Sequence, residues 1–302
     1  MNKKNLLLAI ILLVFALAAY GYSFPYQAYL RRQASPTNFL AGSNLALVDK
    51  ITIAKQGTTS TLLKESDRWR VLGPGEFYVN SELAREALTT LQRLTTSTLS
   101  IVSRATSTKS SFATDSKSGT IITLWQGESK LTDFILGKSD AAYSYLSQAS
   151  SDLSYATVLD LSLFASVTDW RDPLIFTSDA STWTSFKLQN NLKKSTLQLE
   201  KKGEDWLAEP AKTKLNKNKI QALLDTISAL EADAIPLNQS LATGLDKPSL
   251  MISFSNSLLS NTLAVGALSN NQYYVKRSDS ANVYLLNKNK IEPFFADLKA
   301  LQ

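Results

Sequence analysis

The chain has 302 residues and contains neither histidine nor cysteine, which excludes Ser-His-Asp and Cys-His nucleophilic catalysis, histidine general bases and most zinc, iron–sulfur and haem sites. With 44% apolar and 19% charged residues, the composition is that of a globular protein rather than a disordered one. The 32 basic and 26 acidic side chains give a net charge of +6, which at first suggests a nucleic acid as partner.

The N-terminal segment is predicted to be a membrane anchor that crosses the bilayer once. No charged side chain lies between Lys4 and Arg31, and a helix over such a stretch reaches the ~30 Å thickness of the hydrocarbon layer. Pro25 is expected to end or kink that helix. We predict a cytoplasmic tip at residues 1–4, the anchor at 5–30 and a spacer at 31–46. The residues that mark the anchor are Leu6, Ile11, Val14, Leu17 and Tyr22.

A cleaved signal peptide is the alternative interpretation of this segment, because residues 16–18 (Ala-Leu-Ala) offer a small-x-small cleavage site. The length of the uncharged stretch favours the anchor. Four residues before the anchor make a poor retained domain, so we expect the body to be exported. The predicted location is the cytoplasmic (inner) membrane, with the body on the periplasmic side.

The basic excess belongs mostly to the flanks of the anchor. Lys3, Lys4, Arg31 and Arg32 account for four of the 32 basic residues, and no acidic residue precedes Asp49. Residues 33–302 therefore carry 28 basic and 26 acidic side chains, a net charge of +2. That balance is typical of an ordinary surface, and we predict that the protein has no nucleic-acid partner.

Residues 47–172 and 173–302 follow the same order of predicted elements. Each half begins with three short strands of alternating apolar and polar residues, the third of which carries a tryptophan. Each continues with a helix whose apolar residues recur at i, i+3, i+4 and i+7, the spacing of one buried stripe. The strands are 51–54, 61–64 and 69–72 in the first half and 186–188, 196–200 and 206–208 in the second, and the helices are 83–94 and 220–230.

The rest of each half is predicted to be an antiparallel meander. At a constant offset of 129 residues, 121–125 matches 250–254, Gly137 matches Gly266, and 143–146 matches 272–275. Each half closes with a strand and a short helix, which are 155–159 with 161–167 and 283–286 with 291–301. The shared order indicates an internal duplication. The predicted fold is α+β, with an N-terminal transmembrane helix and two tandem repeats of an antiparallel sheet with a packed amphipathic helix.

Short motifs within residues 47–302 resemble the DUF4340 domain family. The second half carries them best, with a Trp–Pro pair, Gly-Leu-Asp-x-Pro at 244–248, a hydrophobic-Gly pair and Tyr-Val. The first half departs from the pattern, because Ala-Thr-Asp-Ser-Lys at 113–117 stands in place of Gly-Leu-Asp-x-Pro. The residues that carry the resemblance are Trp69, Pro74, Gly137, Trp206, Pro210, Gly244, Leu245, Asp246, Pro248 and Gly266.

The resemblance implies a membrane-anchored protein of the bacterial cell envelope. Some members of the family accompany ABC transport systems of the gliding-motility type as an auxiliary component. The implied partners are the lipid bilayer, through the N-terminal helix, and an ABC permease or auxiliary subunit in the membrane. No catalytic residue, metal ligand or cofactor is predicted.

The motif residues have structural interpretations that we weigh above functional ones. Strand tryptophans such as Trp69 and Trp206 normally pack over a helix, although they can also form binding platforms. Gly137 and Gly266 are expected to mark a turn or β-bulge with positive φ. In the Gly-Leu-Asp-x-Pro element the leucine is expected to fill the core and the aspartate to bond nearby backbone N–H groups. The tyrosines expected to serve as interface residues are Tyr145, Tyr273 and Tyr274.

Two functions stay open at this point. The first is a non-enzymatic accessory or binding protein, and the second is a histidine-free hydrolase that acts on an envelope polymer through carboxylates. Acidic residues that meet in a deep cleft would favour the hydrolase. The cluster of Asp169, Arg171 and Asp172 is expected to be a solvated linker between the two halves.

Overall fold

The computed structural model describes residues 3–22, 38–167, 169–238 and 242–302, without the side chains of residues 3–9, 298 and 300. The protein is α+β, with two eight-stranded antiparallel sheets. Among the described residues, no helix is both long and apolar enough to cross a membrane. The predicted anchor and spacer fall partly outside this set, since residues 23–37 and the side chain of Leu6 are not among the described ones.

The first sheet is built from residues 50–157, in the strand order β3-β2-β1-β5-β6-β7-β8-β4. The strands predicted at 51–54, 61–64 and 69–72 are β1 to β3. The strand bounds are β1 Lys50–Lys55, β2 Thr58–Glu65, β3 Arg68–Leu72, β4 Ser100–Ser103, β5 Thr120–Gln126, β6 Ser129–Ser139, β7 Ser144–Gln148 and β8 Ser154–Thr157.

The second sheet repeats this plan in the order β13-β12-β11-β10-β15-β16-β17-β18, and β9 pairs with β14 in a separate two-stranded sheet. Seven strands correspond in the two large sheets, while β4 and β13 are added at opposite edges. The bounds are β9 Leu174–Thr177, β10 Ser185–Asn190, β11 Ser195–Lys202, β12 Asp205–Glu209, β13 Thr213–Lys214, β14 Ala229–Glu231, β15 Leu250–Ser255, β16 Ser260–Ser269, β17 Gln272–Arg277 and β18 Val283–Asn287.

The α-helices are few and mostly short. Asn80 and Asn216 cap the two amphipathic helices, each accepting backbone N–H groups with its side-chain oxygen. The predicted closing helix at 291–301 is instead three short pieces, because Pro293 interrupts it. The helix bounds are α1 Lys3–Gly21, α2 Ser81–Thr96, α3 Ser162–Ser166, α4 Lys217–Ser228, α5 Lys288–Ile291 and α6 Leu298–Leu301, with a 3-10 helix at Glu292–Phe295.

The helix predicted at 220–230 ends at Ser228, and Ala229–Glu231 forms β14. Leu230 continues the apolar spacing of the helix and is buried, but it reaches the core as a strand residue paired with Phe176 of β9. The periodicity therefore identified a buried residue and gave it the wrong secondary structure.

The chain divides into two compact units. One comprises residues 1–59 and 86–168, and the other comprises 60–85 and 169–302. In the first unit, alternating residues of the strands form the core, among them Ile53, Ile122, Leu124 and Phe134. In the second unit, the stripe of α4 packs with the inward residues of β10, β15 and β16. Phe77, from the loop after β3, belongs to this second core.

The offset of 129 residues between the halves holds for β6 and β16 but not for β5 and β15. Ile122 pairs with Phe134, whereas Ile252 pairs with Leu263, so the buried positions of β5 and β15 differ by 130. The predicted match of 121–125 with 250–254 is therefore displaced by one residue, which would reverse the face of every side chain in the strand.

Candidate functional site

The second unit contains a cavity of about 560 Å³. Its walls come from the loop after β3, the strand β9, the start of β16 and the segment 277–284. The volume lies within the ~300–1,000 Å³ range of small-molecule sites. Both apolar side chains and polar groups line it.

One wall is the loop after β3, which is fixed to the start of β18 by an asparagine. The backbone N–H of Glu76 donates to Oδ1 of Asn282 at 2.7 Å, and Nδ2 of Asn282 donates to the Glu76 carbonyl at 3.1 Å. The next residue, Phe77, is 2% exposed and meets the ring of Tyr284 edge to face at 5.5 Å. The loop is therefore held by both hydrogen bonds and aromatic packing.

The segment before β9 pairs with the same loop. The backbone N–H of Asp172 donates to the Tyr78 carbonyl at 2.8 Å, and the Asn80 N–H donates to the Trp170 carbonyl at 3.0 Å. Oδ1 of Asp172 accepts the backbone N–H of Leu174 at 3.0 Å, so this carboxylate caps the turn into β9.

The residues expected to form a solvated linker are part of this packing. The Arg171 side chain is only 9% exposed; it pairs with Asp169 and donates to the carbonyls of Ile235 and Pro236, both at 2.9 Å. Its guanidinium also lies 5.1 Å from the centre of the Phe77 ring. The expectation of a solvated linker is wrong because these carbonyls and the ring supply partners far away in the sequence.

Charged groups of both signs surround the mouth of the cavity. Arg277 pairs with Asp279 through two nitrogens and donates a third hydrogen bond to the Ile175 carbonyl at 3.0 Å. Arg68 lies flat on the ring of Tyr78, with the guanidinium carbon 3.6 Å from the ring centre. The Arg277–Asp279 pair is neutral as a whole, so it lends the mouth no net charge.

Asn261 is the unusual residue of this site. It is 4% exposed and lies on the core face of β16, in line with Leu263 and Val265. Among the described residues, no hydrogen bond joins its amide to another group, and the amide keeps contact with the solvent of the cavity that it lines. The other buried asparagines of this unit are used: Asn190 accepts two backbone N–H groups of its turn, and Asn282 holds Glu76.

Tyr284 forms the inner wall near Asn282. Burial raises the pKa of its hydroxyl, while a hydrogen bond with Asn282 and the charge of Arg277 oppose this shift. The hydroxyl is therefore neutral at physiological pH and can act only as a hydrogen-bonding group. In the part of the chain that the structure describes, no group of three or more acidic side chains is placed to hold a metal ion.

The family-motif residues lie outside this cavity, and the glycines among them have a clear packing reason. A Cβ at Gly137 would lie 2.1 Å from the Phe112 carbonyl oxygen, and one at Gly266 would lie 2.1 Å from the Thr243 carbonyl oxygen. A bulge interrupts the ladder at each glycine, but neither has a positive φ. The expected positive φ is wrong, because close approach of another backbone is what excludes a side chain.

The Gly-Leu-Asp-x-Pro element packs over the bulge of β16. Gly244 has φ +68°, and Leu245 is half-buried with its side chain against Gly266. Ala113, which stands at the corresponding place in the first half, has φ +53°. Asp246 is exposed and, within the described residues, has no side-chain hydrogen bond, contrary to the expected turn bond.

The remaining motif residues are structural in different ways. Trp69 and Trp206 are each 8% exposed, and Trp206 belongs to the core of the second unit. Pro74 and Pro210 are exposed, and the Pro248 carbonyl accepts a hydrogen bond from Asn191 at 2.7 Å.

None of the three tyrosines expected at an interface is fully exposed. The Tyr145 hydroxyl donates to Asp140 at 3.1 Å, and its ring contacts Phe112 at 5.0 Å. Tyr273 packs against Phe295, with ring centres 5.9 Å apart, and Tyr274 is half-buried. Their role as interface residues stays a prediction.

The cavity residues were missed because their neighbours come from distant parts of the sequence. Asn261 had one usable indication: it stands in an alternating strand at a position where its face continues with Leu263 and Val265. A polar residue on an apolar face must find a partner or a function.

The family model described as "Domain of unknown function (DUF4340)" matches residues 69–248, which is more than half of the chain. No curated protein matches the chain, and no solved structure does.

Proposed function

Because the chain belongs to the DUF4340 family, we propose that it is a membrane-anchored, non-enzymatic binding protein of the bacterial cell envelope. Its proposed context is that of an auxiliary subunit of an ABC-type transport or gliding-motility-like system. The family carries no assigned function, so the argument depends on the chain itself.

The observation that carries the binding role is the cavity of the second unit, in which two of the three carboxylates that line it are held in structural bonds. Asp172 accepts the Leu174 N–H, and Asp279 pairs with Arg277. A carboxylate pair that catalyses hydrolysis needs one acid and one base free to reach the same bond. With only the Glu76 carboxylate outside such bonds, the cavity is better suited to holding a ligand than to transforming it.

Support for the anchor comes from α1 and from the sequence around it. Large apolar side chains of α1 are exposed, with Leu12 and Phe15 each at 72%. An exposed apolar helix at one end of a chain is stable in lipid, where its side chains are removed from water. The uncharged stretch up to Arg31 extends this surface in the sequence. We propose a single pass, with the body on the periplasmic side.

The proposal is tested by affinity purification of the full chain from membranes in mild detergent. An ABC permease or auxiliary subunit should be recovered with the wild type. The double variant Leu12→Arg/Leu13→Arg should lose both the membrane fraction and the partner, because each arginine is costly in the bilayer centre. The matched control is Leu192→Arg/Leu258→Arg, at exposed leucines of the body. Recovery of the wild type alone would contradict the proposal.

A hydrolase remains the second candidate because Glu76 and Asp172 line the same cavity. It would be favoured if the protein released reducing ends from isolated cell-wall glycan and if Glu76→Gln and Asp172→Asn each abolished that release. We expect no release by the wild type.

A further inference from the structure

We infer that the cavity of the second unit is a binding site for a small uncharged ligand that carries an amide group, and that Asn261 is the residue that recognises it. The inference rests on the proposed binding role of this cavity, but it is independent of the membrane anchor and of any membrane partner.

The first argument is the position of the Asn261 amide. Asn261 is 4% exposed and lies on an apolar core face, yet no described residue forms a hydrogen bond with its side chain. The amide faces the cavity, where only water or a ligand can bond its two N–H donors and its acceptor oxygen. A leucine would fit this apolar face of β16 as well. A carboxamide at such a position, turned to an open cavity, is expected at a functional site.

The second argument concerns the chemistry of the partner. The donor and the acceptor of a carboxamide lie side by side, so a ligand amide can bond both at once. The cavity that Asn261 lines also has apolar side chains, such as Phe176 and Leu259, and a neutral hydrogen-bonding group, the Tyr284 hydroxyl. The charged residues that line the cavity are mixed in sign, so they offer no cluster of one sign to bind an ion; they are Arg68, Arg277, Glu76, Asp172 and Asp279.

The third argument is size and access. A cavity of about 560 Å³ is large enough for one sugar or one short peptide unit, and its exposed rim residues leave it open to solvent. Arg68, fixed flat on Tyr78 at the mouth, offers further N–H donors to a ligand carbonyl. The amide can come from an acetamido sugar or from a peptide-like molecule, and the experiment separates these sources.

The test is a titration of the full-length protein, labelled with ¹⁵N, in detergent micelles. The probes are N-acetylglucosamine, N-acetylalanine methylamide and glucose, which lacks the amide. At least one amide probe should shift the side-chain NH₂ resonance of Asn261, and glucose should not. The probe with the higher affinity identifies the source of the amide.

Variants decide whether Asn261 makes the contact. Asn261→Leu should weaken binding of the amide probe at least tenfold and remain folded, which its thermal unfolding curve reports. The matched variant Asn218→Leu, at an exposed position of α4, should bind as the wild type does. Equal binding by Asn261→Leu, no binding of either amide probe, or equal binding of glucose would each overturn the inference.

The result is separable from the proposed membrane role. Asn261→Leu should still be recovered with its membrane partner, because the change lies inside a cavity. Probe binding without any recovered partner would contradict the accessory role alone, whereas a recovered partner without probe binding would contradict the ligand site alone.

Discussion

Thr132 on β6 and Asn261 on β16 occupy equivalent places in the two sheets, each five residues before the glycine at the bulge. Thr132 pairs with Leu124, and Asn261 pairs with Phe254. Thr132 is half-buried, whereas Asn261 is almost completely buried. The surroundings of Asn261 include β9 and the loop after β3, which form the cavity with it.

The comparison separates what the two copies share from what makes them different. The shared part is a framework of seven strands with a bulged glycine under a crossing backbone. The difference lies at one polar position, which is half-buried as Thr132 in the first sheet and buried as Asn261 in the second. The segments that cover Asn261 account for this difference. We therefore expect mutations of the framework to act alike in both copies, and mutations at the paired positions Thr132 and Asn261 to act differently.

The largest effect is expected at the bulged glycines. Gly137→Ala and Gly266→Ala should each lower the free energy of unfolding by about 3 kcal/mol, because the new Cβ would collide with a backbone carbonyl. Gly203→Ala is the control, since it has φ +61° but open space, and should cost about 1 kcal/mol. Chemical denaturation checks all three. A large loss at only one of the two bulges would break the equivalence of the copies.

Asn282→Ala should lower the free energy of unfolding by about 2 kcal/mol. The change removes both hydrogen bonds to the Glu76 backbone and leaves that wall of the cavity without their support. Hydrogen exchange should rise in the loop after β3. The control is Asn256→Ala, which removes the side-chain acceptor of a surface turn. Unchanged exchange at Glu76 would show that the other contacts of the loop, at Phe77 and Tyr78, hold it without Asn282.

Asn261→Leu should act in the opposite direction and raise the free energy of unfolding by about 1 kcal/mol. The amide is replaced by an apolar side chain of similar size that continues the core face of Leu263 and Val265, so more apolar surface is removed from water. For a unit of this size the melting temperature should rise by about 2–4 °C. The matched change Thr132→Leu in the first sheet should stay within about 0.5 kcal/mol. A loss of stability in Asn261→Leu would mean that the amide has a structural partner.

The smallest effect is expected on stability at acid pH, from Asp115 in the turn at 113–117 that differs between the two copies. Burial raises the pKa of Asp115, but hydrogen bonds from Lys117 N–H and from the N–H and hydroxyl of Ser118 outweigh it, and the net direction is downward. A lowered pKa in the folded state stabilises the fold above the unfolded value near 3.8, and this contribution is lost as the pH falls through the folded value.

Asp115→Asn should therefore flatten the fall in stability below about pH 4. Asp246→Asn is the matched control, because Pro248 has no N–H at the place where Lys117 donates to Asp115. Unfolding curves between pH 5 and pH 2.5 measure the difference. An identical acid limb in the wild type and Asp115→Asn would contradict the role of this turn.

Local periodicity was enough to predict most of the fold. Strands β1 to β3, β10 to β12 and the amphipathic parts of α2 and α4 lie where alternation and i, i+3, i+4 spacing placed them. The errors arose where pairing with a distant strand decides the secondary structure. Leu230 fits the apolar spacing of a helix, but it pairs with Phe176 of β9 and is therefore a strand residue. The strands β4, β9 and β14 are too short to show a period.

The one-residue slip in β5 has a similar origin. The hairpin from β5 to β6 has a two-residue turn and a bulge after Leu124, whereas the β15–β16 hairpin has a four-residue turn at 256–259. The shorter turn and the extra bulge residue nearly compensate each other in the number of residues. A constant offset of 129 therefore aligned the two glycines but misplaced β5 by one residue.

The cavity could not be predicted because it depends on contacts between remote segments. Glu76 and Asn282 are 206 residues apart, and Arg171 finds carbonyl partners more than 60 residues away. Composition and spacing contain no information about such pairs. Asn261 is a cavity residue that the sequence does indicate, because it is polar at a position where the alternation of the strand predicts an apolar residue.

The most direct test of the account is the ratio of dissociation constants of the tighter-binding amide probe for Asn261→Leu and for the wild type, measured by titration calorimetry on the full-length protein. The account predicts a ratio of ten or more, together with an Asn261→Leu variant that melts higher than the wild type. A ratio near one would contradict it, because the buried amide would then have no part in binding.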